Sequence, residues 1–199
     1  RFDSINLTHE CLQWATQAVV LLCIVAIGHS LRAIRRQAST DQLTGVLNRH
    51  QIVANLQREQ QRCNRGGAVF SVCFLDVDHL KAVNDRFGHG LGDQLLRRLA
   101  GEVATHLRGM DDFGRFGGDE FVIALPNTSL DSALKICARV QERISSLSLT
   151  DLGIPTRVTV SIGVAESHPG ETIDALLSRA DRALYSAKHA GRDCVVSTA

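Results

Sequence analysis

The stretch RFGGDEF, residues 115–121, sets two adjacent glycines between two segments of strand-forming residues. Residues 113–116 and 120–125 are rich in apolar and aromatic side chains, and the glycines between them are typical of a tight turn. The stretch therefore predicts a β-hairpin with Gly117, Gly118 and Asp119 at its tip. Glycines at a hairpin tip let a ligand approach the backbone closely, and Asp119 and Glu120 place two carboxylates beside that backbone.

A second acidic cluster, Asp76-Val77-Asp78, ends the segment of residues 68–77, whose composition predicts a buried strand. Residues two apart on a strand share a face, so Asp76 and Asp78 can point in the same direction. Hard oxygen ligands beside an open glycine backbone suit Mg²⁺ with a nucleoside triphosphate. The alternative interpretation is a solvated turn together with an acidic strand end.

The rest of the chain alternates helical and strand patterns. Apolar spacing and turn residues predict helices over residues 49–63, 79–86, 92–107, 129–147 and 172–189, and strands over residues 155–165 and 193–196. Helices that cross between strands around a central hairpin indicate an α/β sandwich with a mixed sheet.

Residues 11–31 contain no Asp, Glu, Lys or Arg, and residues 18–27 are continuously apolar. At about 1.5 Å rise per residue, a helix of this length reaches roughly 31 Å, the thickness of a bilayer core. Trp14 suits the membrane interface. The segment predicts a transmembrane helix; a buried or coiled-coil helix is the alternative.

Arg32, Arg35 and Arg36 follow the apolar segment directly. Because basic residues favour the cytoplasmic side of a membrane, we expect everything downstream to be cytoplasmic. Residues 1–10 are then the end of an upstream extracytoplasmic or loop segment, and residues 32–40 form a linker. Since the first residue is Arg1, we expect the chain to be part of a longer protein.

Net charge and cysteine spacing argue against several classes of function. The net charge of +1 argues against an extended nucleic-acid surface, which usually requires a basic excess. The six cysteines form no CxxC pair, so we interpret them as reduced thiols and not as zinc ligands or a disulfide framework.

Four blocks of sequence together resemble one family. They are DQLTGVLNR at 41–49; FLDVDHLK at 74–81, followed by ND at 84–85 and GHGLGD at 88–93; RFGGDEF at 115–121; and DRALYSAKHAGR at 181–192. In order and spacing they resemble the GGDEF-domain diguanylate cyclases, over about residues 40 to 197. The resemblance assigns residues 41–199 to a GGDEF domain. It implies a nucleotide-cyclase or polymerase-palm type of fold, with a largely antiparallel mixed sheet flanked by helices.

The family condenses two GTP molecules into cyclic di-GMP and two pyrophosphates, with Mg²⁺ or Mn²⁺ as cofactor. Carried over by position, Asp76 and Asp119 resemble the metal-binding carboxylates, with the Val77 carbonyl as a further ligand. Asp119 and Glu120 resemble the catalytic pair, with Glu120 near the reacting hydroxyl. Each protomer would hold one GTP, so the resemblance implies a homodimer, placed by the N-terminal segment at the bacterial inner membrane.

The substrate-binding residues are also implied by the resemblance. Asn84 and Asp93 resemble the residues that recognise guanine, whose N–H donors and ring acceptors suit an amide and a carboxylate. Lys81, Lys188 and Arg192 resemble phosphate-binding residues. Since Lys188 and Arg192 are four residues apart, we expect them to share one helix face.

Arg108 and Asp111 form an RxxD motif at the family's usual distance before the double glycine. The resemblance implies an inhibitory site for cyclic di-GMP there, and the alternative is a plain surface ion pair. For the whole domain, the alternative function is a catalytically silent module that binds GTP or cyclic di-GMP as a regulatory sensor. The complete set of motif residues favours the cyclase.

Overall fold

A computed structural model describes residues 14, 16, 17, 19–24, 39–155 and 157–198. Residues Ser39–Ala199 form one compact unit. Its elements are β1 (Leu47–Asn48), α1 (Arg49–Asn64), β2 (Ser71–Val77), α2 (Leu80–Phe87), α3 (His89–Thr105), β3 (Asp112–Gly117), β4 (Glu120–Leu125), α4 (Leu130–Ser145), a 3₁₀ turn (Thr150–Leu152), β5 (Val160–Glu166), α5 (Ile173–His189) and β6 (Val195–Ser197).

The N-terminal predictions fall mostly outside the described residues. Of the predicted transmembrane segment 11–31, only residues 14, 16, 17 and 19–24 are described, and they are helical. No helix among the described residues is long and apolar enough to cross a membrane. Residues 1–10 and most of the predicted linker also lie outside the described part of the chain.

The six strands form one sheet in the order β1-β3-β4-β2-β5-β6. The three central pairings, β3 with β4, β4 with β2 and β2 with β5, are antiparallel. The outer pairings, β1 with β3 and β5 with β6, are parallel. The prediction of a largely antiparallel mixed sheet flanked by helices is therefore confirmed.

Helices cover both faces of the sheet. On one face, α2, α3 and α4 pack over Leu75 and Ile123 together with the other inward side chains of that face. On the opposite face, α1 and α5 pack over Val72, Phe74 and Val122. Because β2 lies in the middle of the sheet with both faces covered, all seven of its residues are buried, which explains the continuous apolar sequence before Asp76.

Two local predictions differ from the structure. The strand predicted from residue 155 begins only at Val160; residues 153–155 and 157–159 belong to no helix or strand. The short strand β1 was not predicted, because two residues carry no periodic pattern; only the parallel pairing with β3 defines it.

Helix α5 lies unusually close to β5, and Gly163 allows this contact. A Cβ atom at position 163 would lie 2.1 Å from the Leu184 amide nitrogen and 2.2 Å from the Ala180 carbonyl oxygen. Both are backbone atoms, so they cannot rotate away as the end of a side chain can. The helix faces the strand there with small residues, Ala180 and Ala183, both fully buried.

We expect Gly163→Ala to destabilise the domain by roughly 1–3 kcal/mol or more, because the new methyl group overpacks a rigid contact. Gly101→Ala is the matched control: nothing lies within 4 Å of a Cβ there, and alanine favours its helix. Chemical denaturation of both variants measures the difference. Equal stability of the two variants would show that α5 moves freely relative to β5.

Candidate active site

An arginine connects the hairpin between β3 and β4 to the start of the domain. Arg115 donates from Nε and Nη2 to the Gly118 carbonyl, at 3.0 and 2.7 Å. Its Nη1 atom lies 3.2 Å from Asp41 Oδ1. The planar guanidinium therefore connects the tip of the hairpin to the turn that precedes β1.

Asp41 is itself fixed by that turn. Its Oδ1 atom accepts from the Thr44 amide at 2.9 Å and from the Thr44 hydroxyl at 2.6 Å. Burial alone would raise the pKa of Asp41, but the hydrogen bonds from Thr44 and the charge of Arg115 outweigh it and hold the pKa below its ordinary value. Asp41 is therefore an anionic anchor for Arg115.

The register of β2 and β4 brings the two acidic clusters together. Asp76 pairs directly with Glu120 across the strands, so the two side chains lie on the same face of the sheet, the one covered by α1 and α5. Asp119 precedes Glu120 in the turn, and its carbonyl accepts from the Val77 amide at 3.2 Å. The structure thus assembles Asp76, Val77, Asp119 and Glu120 at one end of the sheet, as the motifs predict.

Lys188 joins this group from helix α5. Its Nζ atom lies 2.7 Å from Asp76 Oδ2. Burial raises the pKa of the Asp76 carboxyl above its ordinary value; the hydrogen bond from Lys188 opposes this, and the negative charges of Asp119 and Asp78 add to it. The site therefore holds more negative charge than its one lysine offsets.

Asp78 lies on the same side as Asp76, as the spacing predicts, but it has its own partners. Its two oxygens accept from the Ser161 hydroxyl and the Thr159 hydroxyl, both at 2.8 Å, and from the Asp193 amide at 3.2 Å. These bonds connect the end of β2 to β5 and to the segment after α5. We therefore interpret Asp78 as a structural residue of the site.

The residues expected to recognise guanine meet at the corner between α2 and α3. Asn84 on α2 is half-buried, and its Oδ1 atom is buried without a hydrogen-bond partner among the described residues. Asp93, also half-buried, follows Gly92 in the first turns of α3. A Cβ atom on Gly92 would lie 1.8 Å from Asn84 Oδ1, so glycine is required for this amide to keep its position.

Arg192, one of the predicted phosphate-binding residues, does not lie on helix α5. Lys188 and Arg192 do not share a helix face, because α5 ends at His189 and Arg192 follows with a left-handed φ of 64°. The earlier inference from spacing was wrong because it assumed that the helix continues past Gly191. Arg192 and Lys81, on the first turn of α2, are both exposed.

The RxxD motif forms a turn directly before β3. The Arg108 amide donates to Asp111 Oδ2 at 2.8 Å, and the Asp111 amide donates to the Arg108 carbonyl at 3.0 Å. The Arg108 side chain is exposed and forms no ion pair with Asp111 among the described residues. Asp111 Oδ1 is buried without a hydrogen-bond partner in that part of the chain.

Sequence reasoning gave no individual role to several residues that shape the site. Asp41 and Gly92 lie inside the quoted motifs, and Arg115 opens the hairpin stretch, but their contacts depend on elements distant in the chain. Among the described residues, no group of three His, Cys, Asp or Glu side chains lies together as a metal site. The candidate ligands are instead two carboxylates and a backbone carbonyl.

Comparison with known proteins agrees with the motifs. Residues 38–194 match the family described as "Diguanylate cyclase, GGDEF domain". The diguanylate cyclase DgcP of Pseudomonas aeruginosa is 42% identical over 159 residues, which are 80% of this chain and 24% of DgcP. The response regulator PleD of Caulobacter vibrioides is 40% identical over 176 residues, 87% of this chain and 38% of PleD.

Among solved structures, the coiled coil and GGDEF domain of DgcB from Caulobacter crescentus, in complex with c-di-GMP, matches with a TM-score of 0.76 and 30% identity. The match covers 92% of this chain and 98% of that one. This chain spans between about a quarter and two fifths of the length of DgcP and PleD. The family match, the sequence identities and the shared fold agree: the chain belongs to the GGDEF family of diguanylate cyclases.

Proposed function

We propose that this chain condenses two GTP molecules into cyclic di-GMP and two pyrophosphates. The observation that carries the proposal is the convergence of Asp76, Asp119 and Glu120 beside Lys188 at one end of the sheet. The family membership of the chain supports the choice of substrate. The intact set of motif residues favours a working cyclase over a silent binding module, which has no need to retain the acidic pair and the phosphate-binding cations together.

The residues at this end of the sheet fit a divalent cation. Asp76 and Asp119 supply hard oxygen ligands. Burial first, and then the negative charges of Asp119 and Asp78, raise the pKa of Asp76, and a cation beside Asp76 and Asp119 would offset that charge. The Val77 carbonyl is a further candidate ligand. When bound, Mg²⁺ or Mn²⁺ would neutralise charge on the phosphate oxygens and favour ionisation of the attacking hydroxyl.

The protein's own groups have separate tasks in this proposal. Lys188, already beside Asp76, holds a phosphate of GTP, and Lys81 and Arg192 approach the phosphates from exposed positions. Glu120 accepts a hydrogen bond from the 3′-hydroxyl that attacks the α-phosphate. The fixed hairpin keeps these charges in place before substrate arrives, which reduces the reorganisation that the reaction requires.

We expect Asp119→Ala to lower cyclic di-GMP formation by about 100-fold or more, because it removes a carboxylate ligand of the cation that would neutralise charge on the phosphate oxygens. The fold should persist, since the Val77 amide bonds to the backbone carbonyl of residue 119 and not to its side chain. The assay incubates the chain with GTP and Mg²⁺ and identifies the product by mass.

Asp151→Ala is the control, since Asp151 is an exposed carboxylate on the 3₁₀ turn. An Asp119→Ala protein that is folded and as active as this control would refute the assignment. A wild-type chain that binds GTP without forming any cyclic dinucleotide would support the sensor function instead.

The α2–α3 corner supports guanine as the base. The unpartnered Asn84 Oδ1 atom can accept from a guanine N–H donor, and Asp93 can accept from another. A buried acceptor without a partner is costly, so a base that supplies the missing donor is favoured over one that does not.

Gly92→Ala tests this corner without replacing a ligand-binding side chain. The new methyl group must displace the Asn84 amide, and we expect roughly 10-fold weaker binding of a non-hydrolysable GTP analogue. Gly90→Ala is the matched control in the first turn of the same helix, with nothing within 4 Å of its Cβ position. Calorimetry measures both affinities; equal values would remove Asn84 from the binding site.

We also propose that cyclic di-GMP inhibits its own synthesis at the RxxD turn. The supporting observation is that the Arg108 guanidinium is exposed and makes no ion pair within the described part of the chain, while hydrogen bonds with Asp111 fix the Arg108 main chain. A planar guanidinium can bind a guanine edge or a phosphate, and a ligand there can act by preferring an inactive arrangement of two domains.

Progress curves with and without added cyclic di-GMP test the inhibitory site. Wild-type turnover should slow as product accumulates, and Arg108→Ala should relieve the slowing while the first minutes of the curve stay comparable. If both proteins slow to the same degree, the turn is a surface feature without a regulatory role.

Two further parts of the proposal rest on the sequence: the homodimer and the membrane anchor at residues 11–31, with the catalytic domain in the cytoplasm. The described residues of that segment present exposed apolar side chains, among them Trp14, Leu21 and Leu22. Such side chains suit a lipid or helix partner. Fractionation of cells that express the chain tests the anchor, and recovery without detergent would favour a helix pair.

A further inference from the structure

The segment that follows α5 has an unfavourable backbone conformation. Gly191, Arg192 and Asp193 have consecutive left-handed φ angles of 116°, 64° and 48°. Glycine adopts such angles freely, whereas the Cβ atoms of Arg192 and Asp193 disfavour them. Residues with side chains keep this conformation only where neighbouring contacts hold it, and they are concentrated at functional sites. The contacts that hold this segment are therefore informative about its role.

Asp193 receives those contacts from three separate parts of the fold. The side-chain amide of Gln141, on α4, donates to the Asp193 carbonyl at 3.0 Å and also to its Oδ1 atom. The Arg157 Nη2 atom lies 3.1 Å from Asp193 Oδ2. The Asp193 amide donates to Asp78 Oδ2 at 3.2 Å, directly after β2. We call Gln141, Arg157 and Asp193 the Asp193 network.

Helix α4 is the frame to which the Asp193 network is attached. Besides carrying Gln141, it ends at Ser145, whose carbonyl accepts from Arg157 Nε at 2.8 Å. Because Arg157 is exposed, its ion pair alone would hold Asp193 weakly. The half-buried Gln141 supplies two further bonds, and Val140 and Ile144 fix this end of α4 in the core beneath it.

The Asp193 network leaves the neighbouring arginine available. The Arg192 amide donates to the Ala187 carbonyl at 3.1 Å, but its guanidinium is exposed and makes no ion pair with any described residue. A carboxylate next to a phosphate-binding arginine would ordinarily compete for that arginine or repel the phosphate. Here Gln141 and Arg157 occupy both oxygens of Asp193 and offset its charge.

The same bonds fix Arg192 relative to the acidic end of the site. Asp78, which accepts from the Asp193 amide, comes two residues after Asp76, and Asp76 Oδ2 lies 2.7 Å from Lys188 Nζ. The main chain around Arg192 is thus attached to the site on both sides, through α5 before it and through Asp193 after it. An arginine on a fixed backbone loses less conformational entropy when it binds a phosphate.

We propose that Asp193 is a positioning residue for Arg192, and that Gln141 and Arg157 hold it so that the Arg192 guanidinium is directed to the phosphates of GTP. The inference rests on the proposed function for the role of Arg192. It adds that phosphate binding depends on α4, which supplies no side chain to the proposed site.

Nucleotide binding to an Asp193→Gly variant gives the first test. Glycine permits the left-handed backbone but removes both carboxylate oxygens. The probe is a GTP analogue with a methylene bridge between its α- and β-phosphates, added with Mg²⁺ and measured by calorimetry on the full chain. We expect about 10-fold weaker binding than wild type, because Arg192 is no longer positioned. Asp151→Gly is the matched control, at an exposed carboxylate on the 3₁₀ turn.

A variant on α4 tests the network from a distance. Gln141→Ala removes the donor to Asp193 and leaves the ion pair with Arg157, so we expect roughly 3-fold weaker binding of the same analogue. Glu142→Ala is the matched control, since Glu142 is the exposed neighbour of Gln141 on the helix.

A double-mutant cycle separates positioning from a general contribution to the fold. Arg192→Ala alone should weaken binding of the analogue by about 10-fold, and Asp193→Gly should then cause no further loss, because it acts through Arg192. A residue that only supports the fold would weaken binding by the same factor with or without Arg192. Chemical denaturation of each variant shows that it is folded under the conditions of the binding measurement.

Each result has a defined meaning. The proposal would be overturned by additive losses in the cycle, by an Arg192→Ala protein that binds like wild type, or by Asp193→Gly and Gln141→Ala proteins that match their controls. Failure of the proposed function has a different signature. A chain that shows the non-additive loss of binding yet forms no cyclic di-GMP would refute the cyclase and leave the role of Asp193 standing.

Discussion

The antiparallel register of β2 and β4 is the constraint on which the site depends. It sets Asp76 directly opposite Glu120 and brings the Asp119 carbonyl to the Val77 amide. A slip of one residue would turn Asp76 into the apolar layer under α3 and leave Leu75 on the other face. The cost of burying a carboxylate among apolar side chains makes that slip prohibitive, so the apolar core and the acidic site fix the same register. Phe74 and Val122 on one face, and Leu75 and Phe121 on the other, hold it along the whole length of the pair.

A second constraint places the Lys188 ammonium group beside Asp76. Lys188 can reach Asp76 only if α5 lies close to the sheet, and the bare backbone of Gly163 allows that approach. The electrostatics then work against stability, since burial and two neighbouring carboxylates raise the pKa of Asp76 while one lysine lowers it. Such unrelieved charge in a well-packed frame is common at functional sites, where a ligand supplies the missing counter-charge.

The sequence predicted the parts of the structure that follow from local pattern. The run of consecutive apolar residues before Asp76 indicated a buried strand, and the double glycine after Arg115 indicated a hairpin. The acidic clusters at the ends of these two elements were therefore expected at one site. Contacts between distant elements were beyond that reasoning: no local pattern shows that Gly92 makes room for Asn84 or that Gly163 receives α5. The prediction that Lys188 and Arg192 share one helix face was wrong for a related reason, since spacing alone cannot show where a helix ends. Here Arg192 lies beyond the end of the helix, with a left-handed backbone. The acidic residues that meet at one end of the sheet lie in motifs visible in the sequence, whereas the contacts that support them required the structure.

In the proposed function, one copy of the chain provides half of a two-nucleotide site, and the two faces of the sheet account for this division. The α2–α3 corner, with an amide and a carboxylate, lies on one face, and α1 and α5 cover the other. The phosphate-binding end lies between them, at the edge where β2 and the hairpin end. In the proposed function, one GTP binds the corner and the phosphate end, and its α-phosphate must be reached by the 3′-hydroxyl of a second GTP. Two copies that face each other across that edge would bring each 3′-hydroxyl to the α-phosphate of the other GTP by the same symmetry operation.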